Sequence, residues 1–389
     1  MSLPTLFPGA TLGVMGGGQL GRMFVHAAQR MGYFTAVLDP DAASPAGLVS
    51  HHHIQTGYLD PEGLARLAEC SAAVTTEFEN VPAPALAALA LQRPVAPGAE
   101  AVAIAQDRAR EKAHFVRCGV PCAPYAVIET PEQLAAVPDE LLPGILKTAR
   151  LGYDGKGQQR VATRAELAAA WAGLKGVPCV LEKRLPLAAE CSVIVARGWD
   201  GAMVHFPPQL NLHRDGILAV TQVHEGNLPK VLVQRSIDAT KSIANGLQYV
   251  GVLCVEFFVL EDGSLVVNEM APRPHNSGHY TQDACDVSQF ELQVRALAGL
   301  PLTPPRQHSP AIMLNLLGDL WFASTAQDAA TEPPWARVLA LPGTHLHLYG
   351  KHEARRGRKM GHLNITGASA AQVRATALEA AQLLGLEAF

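Results

Sequence analysis

Residues 265–281 read Leu-Val-Val-Asn-Glu-Met-Ala-Pro-Arg-Pro-His-Asn-Ser-Gly-His-Tyr-Thr, an apolar run followed by a polar segment. The apolar start is typical of a buried strand. Pro272 and Pro274 disfavour a helix or a central strand beyond Ala271, because proline lacks a backbone N–H and restricts the residue before it. A stiff loop that displays an acid, a guanidinium, imidazoles and amides predicts a ligand site, with a solvated surface loop as the alternative.

The preceding segment supplies this stretch with a hairpin partner. Residues 251–260 are predicted to form a long apolar strand with one acid, Glu256, and a turn at 261–264 returns the chain. The hairpin would place Glu256 beside Asn268 and Glu269. Buried carboxylates that face each other repel unless a cation lies between them. Hard oxygen ligands favour Mg²⁺ or Mn²⁺, with phosphate oxygens completing the shell, and a structural polar pair is the alternative.

The N-terminal segment has the pattern of a βαβ unit. An apolar strand at residues 11–15 leads into a glycine-rich turn at 16–22 and a helix that ends near Gly32. A second strand at 35–38 precedes Asp39. The glycines and this acid fit the dinucleotide fingerprint, which would indicate an NAD enzyme. Alternatively, such a turn binds any phosphate or only packs closely.

Two acids follow the next apolar strand, at residues 72–74. Glu77 and Glu79 leave its carboxyl end, which is where open α/β sheets bind ligands. A helix cap or a solvated pair is the alternative interpretation.

The segment at residues 100–118 is predicted to be a single alanine-rich helix. It carries Asp107, Arg108, Glu111 and Lys112. Charges this close together are typical of a helix face that is exposed to water.

A second glycine-rich segment is predicted to form a lid. Residues 144–147 are typical of a strand that ends in a lysine, and residues 160–162 follow as a second strand. Between them, residues 151–158 read Leu-Gly-Tyr-Asp-Gly-Lys-Gly-Gln, and the glycines allow the backbone to approach phosphates closely. The segment lacks the ending of a Walker loop, so we interpret it as a hairpin lid that closes over a substrate.

The C-terminal part carries a basic cluster. Prolines between residues 301 and 310 indicate a linker to a small domain of short strands, such as 311–316 and 345–349. Residues 351–359 then contain five cations and lead into a strand-like run. The cluster predicts an anion site, and a solvated basic turn is the alternative.

The composition narrows the class of protein. A chain of 389 residues with 48% hydrophobic and 17% charged residues predicts two or three globular domains. A net charge of −4 gives no indication of a nucleic-acid partner, and no apolar run suits a membrane helix. No signal peptide is visible, and seven scattered cysteines are typical of free thiols in a reducing cytoplasm.

Together these segments resemble the ATP-grasp superfamily, and four motifs are similar more narrowly to the N5-carboxyaminoimidazole ribonucleotide synthetase family. The motifs are GGQLGRM at 17–23, GYDGKGQ at 152–158, NEMAPRPHNSGH at 268–279 and GRKMGHLN at 357–364, in that family's order. Glu77 and Glu79 match its Glu-x-Glu element, whereas Leu151 stands where a glycine is common.

The resemblance implies an α/β fold, α+β in part, with a three-domain ATP-grasp architecture. Residues 1–100 would form a Rossmann-like pre-ATP-grasp domain. Residues 101–305 would form the ATP-grasp domain, with a central subdomain and the lid, and residues 306–389 a small C-terminal domain.

The resemblance also implies a reaction and its site. Bicarbonate, ATP and 5-aminoimidazole ribonucleotide would give N5-carboxyaminoimidazole ribonucleotide through carboxyphosphate, in purine biosynthesis. The residues implied for ATP are Arg108, Lys147, Gly152, Tyr153, Asp154, Gly155, Lys156, Gly157, Gln158, Glu182, Lys183, Arg184, Leu185, Glu190, His213, Asn268 and Glu269. The residues implied for Mg²⁺ or Mn²⁺ are Glu256, Asn268 and Glu269. The residues implied for catalysis with bicarbonate are Arg273, His275, Asn276, Ser277 and Lys351. The residues implied for binding the ribonucleotide are Gln19, Glu77, Tyr153, Asp154, Lys351, Arg358 and Lys359.

Other functions fit parts of the pattern. One is an ATP-grasp ligase with another acceptor, such as a formate-dependent glycinamide ribonucleotide transformylase or a biotin carboxylase-like enzyme. Others are a nucleotide sensor without turnover and the dehydrogenase suggested by the first glycine turn. The resemblance implies a homodimer that binds small molecules. The cysteine usage, net charge and hydropathy predict a cytoplasmic protein with neither a nucleic acid nor a membrane as partner.

Overall fold

The computed structural model describes residues 5–152, 157–322 and 330–389. Within these ranges the chain forms three β-sheets flanked by helices, which confirms the predicted α/β class. No helix in the described ranges is both long and apolar enough to cross a membrane.

The first sheet is parallel, with strand order β3-β2-β1-β4. Its elements are β1 (Thr11–Met15), α1 (Gln19–Arg30), β2 (Phe34–Leu38), β3 (His52–Ile54), α2 (Pro61–Cys70), β4 (Ala73–Thr76) and α3 (Ala83–Ala90). Helix α1 buries Leu20 and Phe24, which are one turn apart, in the same core cluster as Val14. The predicted βαβ unit is therefore confirmed, and the parallel strands bring the glycine turn and Glu77 to one edge.

The segment predicted as one helix at residues 100–118 is two helices. They are α4 (Ala99–Ala105) and α5 (Arg108–Arg117). Asp107 starts the second helix, because its carboxylate accepts hydrogen bonds from two backbone N–H groups of the first turn. Glu111 and Lys112, which were expected to face water, are buried. The prediction of a solvated charged face was wrong for these two residues.

A small antiparallel sheet follows, with strand order β5-β8-β6-β7. Its elements are β5 (Tyr125–Ile128), α6 (Pro131–Ala135), β6 (Gly144–Thr148), β7 (Gln158–Val161), α7 (Arg164–Gly173) and β8 (Cys179–Lys183). Strands β6 and β7 form the predicted hairpin, in which Lys147 pairs with Gln158. Residues 153–156, at the tip of the predicted lid, lie outside the described residues.

The largest sheet contains nine strands in the described chain, in the order β14-β13-β9-β11-β12-β15-β17-β16 with β10 beside β9. Its strands are β9 (Leu187–Arg197), β10 (Met203–His205), β11 (Gln209–Arg214), β12 (Ile217–Val223), β13 (Gly251–Leu260), β14 (Leu265–Ala271), β15 (Ala311–Leu317), β16 (Thr344–Leu348) and β17 (Lys359–Thr366). The accompanying helices are α8 (Lys230–Gly246), α9 (Thr281–Ala284), α10 (Gln289–Ala298), α11 (Trp335–Val338) and α12 (Ala370–Leu384).

The hairpin of β13 and β14 has the predicted register. Glu256 pairs directly with Glu269, and the register shifts immediately after Glu256. Strand β14 ends at Ala271, next to Pro272, as expected for a residue that cannot donate to the ladder.

The C-terminal strands extend this sheet instead of forming one of their own. Strand β12 pairs with β15, with Val220 opposite Leu314, and β15 pairs with β17. The prolines before residue 311 indicated only a linker, and no local pattern indicated that the sheet continues beyond it. The domain boundaries at residues 100 and 305 stay a prediction.

Candidate active site

One large cavity, of about 1410 Å³, collects residues from the small antiparallel sheet, from the largest sheet and from the segments that follow β1 and β4 of the first sheet. Among the residues implied by the sequence motifs it is lined by Gln19, Glu77, Arg108, Lys147, Gly152, Gln158, Glu182, Lys183, Arg184, Leu185, Glu190, His213, Glu256, Asn268, Glu269, Arg273, His275, Asn276, Lys351, Arg358 and Lys359. Gly157 and Ser277 are described but do not line it. Tyr153, Asp154, Gly155 and Lys156 lie outside the described residues.

The hairpin presents oxygen atoms that suit a hard cation. Glu256 Oε1 and Asn268 Oδ1 are buried and have no hydrogen-bond partner within the described residues. Burial, with the charge of Glu269, raises the pKa of Glu256 to about 7. Burial alone would raise the pKa of Glu269 too, but the Arg108 guanidinium, 3.1 Å from Glu269 Oε2, holds it below its ordinary value. A bound cation would relieve the repulsion between the two carboxylates and use the unpaired oxygens.

The protein would supply only part of the coordination shell of such a cation. In the described ranges, no three Asp, Glu, His or Cys side chains form a metal-binding group. Two carboxylates and one amide oxygen therefore leave positions for ligands from another molecule, as is usual for Mg²⁺ with a phosphate substrate. The donor set fits the predicted Mg²⁺ or Mn²⁺.

A buried cationic cluster lies next to the acidic hairpin. Glu182 is held between two lysines, with Lys147 Nζ at 3.1 Å and Lys112 Nζ at 3.2 Å from its oxygens. Lys112 is 0% exposed. Because two ammonium groups share one carboxylate, the cluster keeps a net positive charge inside the cavity wall, which favours an anionic ligand.

Sequence reasoning missed Lys112, although a signal was present. In helix α5 the buried positions are Glu111, Lys112, His114 and Phe115. Glu111 and Lys112 lie four and three positions before the buried Phe115, so both share its side of the helix and are out of place on a solvated face. That spacing could have indicated an internal ion pair.

Glu111 offers a test of this buried electrostatics. Its Oε1 accepts a hydrogen bond of 2.7 Å from the backbone N–H of Met270. Burial, with the charge of Glu269, raises the pKa of Glu111 to about 8 from its ordinary 4.5. Between these values the folded protein binds a proton that the unfolded chain lacks, so rising pH destabilises the fold.

We therefore expect Glu111→Gln to become more stable than the parent protein as pH rises. The difference in the free energy of unfolding should grow by up to about 1.4 kcal/mol per pH unit between pH 5 and pH 8. Denaturant titrations of the ligand-free proteins measure it. Glu256 is present in both proteins, so its own titration cancels. Parallel pH profiles would contradict the assigned shift.

An acid–imidazole pair on strands β9 and β11 also lines the cavity. Glu190 Oε2 lies 2.9 Å from His213 Nδ1. Burial acts against protonation, but the hydrogen bond to Glu190 and the charge of Glu256 raise the pKa of His213 above its ordinary value. The imidazole is therefore suited to contact negatively charged phosphate oxygens.

The loop after β14 is rigidly held. Arg273 Nε forms an ion pair with Glu79, and its NH1 donates a 3.0 Å hydrogen bond to the carbonyl of Pro274. The side chain of Gln289 accepts from the backbone N–H of His275 at 2.9 Å and donates to its carbonyl at 2.8 Å. Glu79, which the sequence left open as a cap or a solvated acid, is thus the partner that orients Arg273.

The next two residues of the loop are both buried, but only the first of them lines the cavity. Asn276 lines the cavity, and both polar atoms of its amide are buried without a hydrogen-bond partner in the described parts of the chain. Ser277 is fully buried, accepts from Ser192 Oγ at 2.8 Å and lies 2.9 Å from His275 Nδ1. Burial and the charge of Arg273 keep the pKa of His275 well below its usual range, so its imidazole is neutral. The geometry favours an orienting role for Ser277, behind His275.

The N-terminal glycine turn binds the protein's own carboxylates. The N–H groups of Gly18 and Gly21 donate to Glu77 at 2.8 Å and 3.1 Å, and that of Gly17 donates to Asp39 at 2.7 Å. A Cβ atom on Gly18 would lie 2.4 Å from Glu77 Oε1, which explains the glycine. Since these amides already have acceptors, they are not free to bind a pyrophosphate, and the geometry argues against the dehydrogenase alternative.

The basic turn faces the same cavity. Lys351 Nζ donates a 2.6 Å hydrogen bond to the carbonyl of Lys359, and Arg358 NH1 donates at 2.8 Å to the carbonyl of Glu353. Burial, with the charge of Arg358, lowers the pKa of Lys351 to about 8. The turn is thus fixed by its own backbone, and all five of its cations line the cavity: Lys351, Arg355, Arg356, Arg358 and Lys359.

The position before the lid motif has an unusual backbone. Leu151 adopts φ 60°, in the left-handed region that favours glycine. A leucine at this position is strained, which agrees with the departure from the family's motif noted in the sequence.

Family models cover most of the chain. The ribonucleotide synthetase pre-ATP-grasp domain matches residues 9–106, the ATP-grasp domain matches residues 113–290, and the phosphoribosylaminoimidazole carboxylase C-terminal domain matches residues 311–376. These matches confirm the predicted ATP-grasp fold with a pre-ATP-grasp domain.

Curated relatives and solved structures agree with each other. An N5-carboxyaminoimidazole ribonucleotide synthase of Brucella melitensis is 44% identical over 93% of this chain and 98% of the relative. That of Bacillus subtilis is 42% identical over 94% of this chain and 93% of the relative. An ADP complex of an N5-carboxyaminoimidazole ribonucleotide synthetase superposes with a TM-score of 0.90, at 39% identity over 98% of each chain. An Aspergillus clavatus synthase in complex with ADP and 5-aminoimidazole ribonucleotide has a TM-score of 0.87, at 30% identity over 98% of this chain and 100% of the other.

Proposed function

This chain belongs to the N5-carboxyaminoimidazole ribonucleotide synthase family, and we propose that its large cavity is where ATP and the ribonucleotide meet. The chain is an ATP-dependent ligase of purine biosynthesis that carboxylates 5-aminoimidazole ribonucleotide to N5-carboxyaminoimidazole ribonucleotide. The observation that carries the proposal is that the acidic hairpin, the buried Lys147 and the basic turn line one cavity.

The proposed reaction has two steps. Bicarbonate first attacks the γ-phosphorus of ATP, giving carboxyphosphate and ADP. The amine of the ribonucleotide then captures the carboxyl group, phosphate leaves, and the amine loses one proton. Such chemistry needs positioned cations that balance the charge spread over the phosphoryl oxygens, and no strong nucleophile from the protein.

The ATP site is proposed to lie between the small sheet and the acidic hairpin. Arg108, Lys147 and His213 supply positive charge there, and the family resemblance implies a glycine-rich lid over the phosphates. The other proposed contacts are Glu182, Lys183, Arg184, Leu185 and Glu190. Mg²⁺ or Mn²⁺, held by Glu256, Asn268 and Glu269, would neutralise phosphate charge when bound.

The bicarbonate site is proposed to lie along the loop that follows. Arg273 can donate to a carboxylate or phosphate oxygen, and the unpaired amide of Asn276 can accept and donate. Neutral His275, oriented by Ser277, is the proposed acceptor of the amine proton. The carboxyl group would therefore be made and transferred within one short loop.

The ribonucleotide site is proposed to lie between the first sheet and the basic turn. Gln19 and Glu77 border it on one side, and Lys351, Arg358 and Lys359 on the other. A phosphate monoester carries up to two negative charges, which Lys351, Arg358 and Lys359 would balance.

Release of ADP tests the proposal directly. We expect release to require both bicarbonate and 5-aminoimidazole ribonucleotide for full rate, with one product formed per ADP. Replacement of bicarbonate by formate without loss of rate would instead favour the transformylase alternative. Tight ATP binding without turnover under any acceptor would favour a nucleotide sensor.

Three coarser properties are also proposed. The seven cysteines are free thiols in the described chain, which supports a reducing, cytoplasmic location. A homodimer is proposed from the family resemblance alone. The domain division at residues 100 and 305 is proposed on the same ground.

A further inference from the structure

One carboxylate, outside the cavity lining, joins the two halves of the proposed acceptor site. Asp283 lies in helix α9, four residues after His279 at the end of the 273–279 loop. Its Oδ2 is 2.8 Å from His347 Nε2 on β16 and 2.6 Å from Asn364 Nδ2 on β17. A carboxylate can only accept, so both strands donate to it. The same amide of Asn364 also donates to the carbonyl of His279 at 3.0 Å.

A stack of imidazoles fills the space beside this carboxylate. The ring of His362 lies 4.5 Å from that of His279 and 4.5 Å from that of His347, with interplanar angles of 28° and 11°. Rings that lie face to face cannot pass a proton along an in-plane hydrogen bond. The stack therefore acts as a spacer between the loop and the C-terminal strands.

The imidazoles can lie this close together because two of the three, His279 and His362, are uncharged. Burial keeps the pKa of His279 and that of His362 well below the usual range, and neighbouring imidazoles act in the same direction. Only His347 has a carboxylate partner within hydrogen-bond distance. The carboxylate of Asp283 thus lies at the His347 end of the stack.

The two strands held by Asp283 carry the basic turn between them. Strand β16 ends at Leu348 and β17 begins at Lys359, so the connecting segment contains Lys351 and Arg358. Tyr349 continues the link, because its hydroxyl is 3.0 Å from His362 Nδ1 and its ring lies 5.6 Å from Lys351 Nζ. The position of the turn relative to the loop is therefore set where Asp283 meets His347 and Asn364.

We propose that Asp283 is a positioning residue for the carboxyl acceptor. It holds the basic turn at the distance from Arg273 and His275 at which the ribonucleotide amine meets the activated carboxyl group. The inference rests on the proposed function, and it concerns the second step and not ATP binding. A displacement of the turn by about 1 Å is enough to reduce transfer strongly, since reacting groups must be held in line.

The test uses Asp283→Asn in the full-length protein. The amide oxygen can still accept both hydrogen bonds, but neither is then strengthened by a negative charge on the acceptor. We expect the KM for the ribonucleotide to rise about 10-fold, while the KM for ATP stays within about 2-fold. We also expect more than one ADP per product, because carboxyphosphate then decomposes before it is captured.

Two further variants keep the test independent of folding. His347→Phe retains the stacking on His362 but removes the donor to Asp283, and it should reproduce the same pattern. Asp286→Asn is the matched control, because this acid is three residues away and pairs with Arg306 at the surface. It should behave as the parent protein does.

The outcomes separate the inference from the proposed function. Unchanged kinetics and a ratio of one ADP per product in both variants would overturn the positioning role. Equal increases in both KM values would also overturn it, since they indicate a general structural defect. Failure of the parent protein to require the ribonucleotide would instead reject the proposed function.

Discussion

Replacing Arg273 by alanine is expected to lower turnover by about 10²-fold or more, because a contact made chiefly in the transition state is lost. The affinity for ATP should stay nearly unchanged. The reason is that Arg273 pairs with Glu79, whereas two of the cations proposed to bind ATP pair with other carboxylates. Those two cations, Arg108 and Lys147, pair with Glu269 and Glu182. Steady-state turnover and equilibrium ATP binding measure the two effects separately.

The matched control for this variant is Arg295→Ala. Arg295 also pairs with a glutamate, Glu291, but this pair is half-buried along helix α10 and lies outside the cavity lining. Its loss should leave both turnover and ATP binding close to those of the parent protein. If Arg273→Ala weakened ATP binding as much as it slowed turnover, Arg273 would belong to the nucleotide site.

Glu256→Gln is expected to have opposite effects on stability and on activity. Without ligands, the variant should be more stable at pH 8 by about 1 kcal/mol or more, since a buried carboxylate opposite Glu269 is removed. Turnover should fall by about 10²-fold or more, because the proposed Mg²⁺ site would lose one of its two carboxylate ligands. Denaturant titration without ligands and turnover against Mg²⁺ concentration measure the two effects.

The structural alternative for the hairpin makes the contrary prediction. If Glu256 only formed a polar pair across the strands, its replacement would destabilise the protein and leave the response to Mg²⁺ unchanged. Asp262→Asn serves as the control, because this acid lies in the turn of the same hairpin and is exposed. It should change neither the Mg²⁺ dependence nor turnover.

Local pattern was sufficient for much of the fold. The alternation and length of the apolar runs predicted β1, β6, β13 and the hairpin register that sets Glu256 against Glu269. Glycine and proline mark the ends of these elements, because they act on the backbone of their own residue and its neighbour. Such effects need no partner that is distant in the chain.

Local pattern was insufficient where the partner is far away in sequence. Lys112 is buried because Glu182 lies 3.2 Å from it, although 70 positions separate the two residues. Glu77 occupies the glycine turn 59 residues before it, at Gly18, and so removes a phosphate site that the fingerprint had indicated. In neither case do the residues immediately around the site identify the distant partner.

The chemistry of the protein was determined by its residues in order: a glycine-rich lid, an acidic hairpin, a loop stiffened by prolines and a basic turn. Spacing along one strand or turn decides which side chains can act together, and that information is local. Only the tertiary structure decided that the basic turn belongs to the same sheet and faces the same cavity as the loop. The physical reason is that strand pairing between β12 and β15, and the contacts of Asp283, join segments whose own residues do not encode the partner.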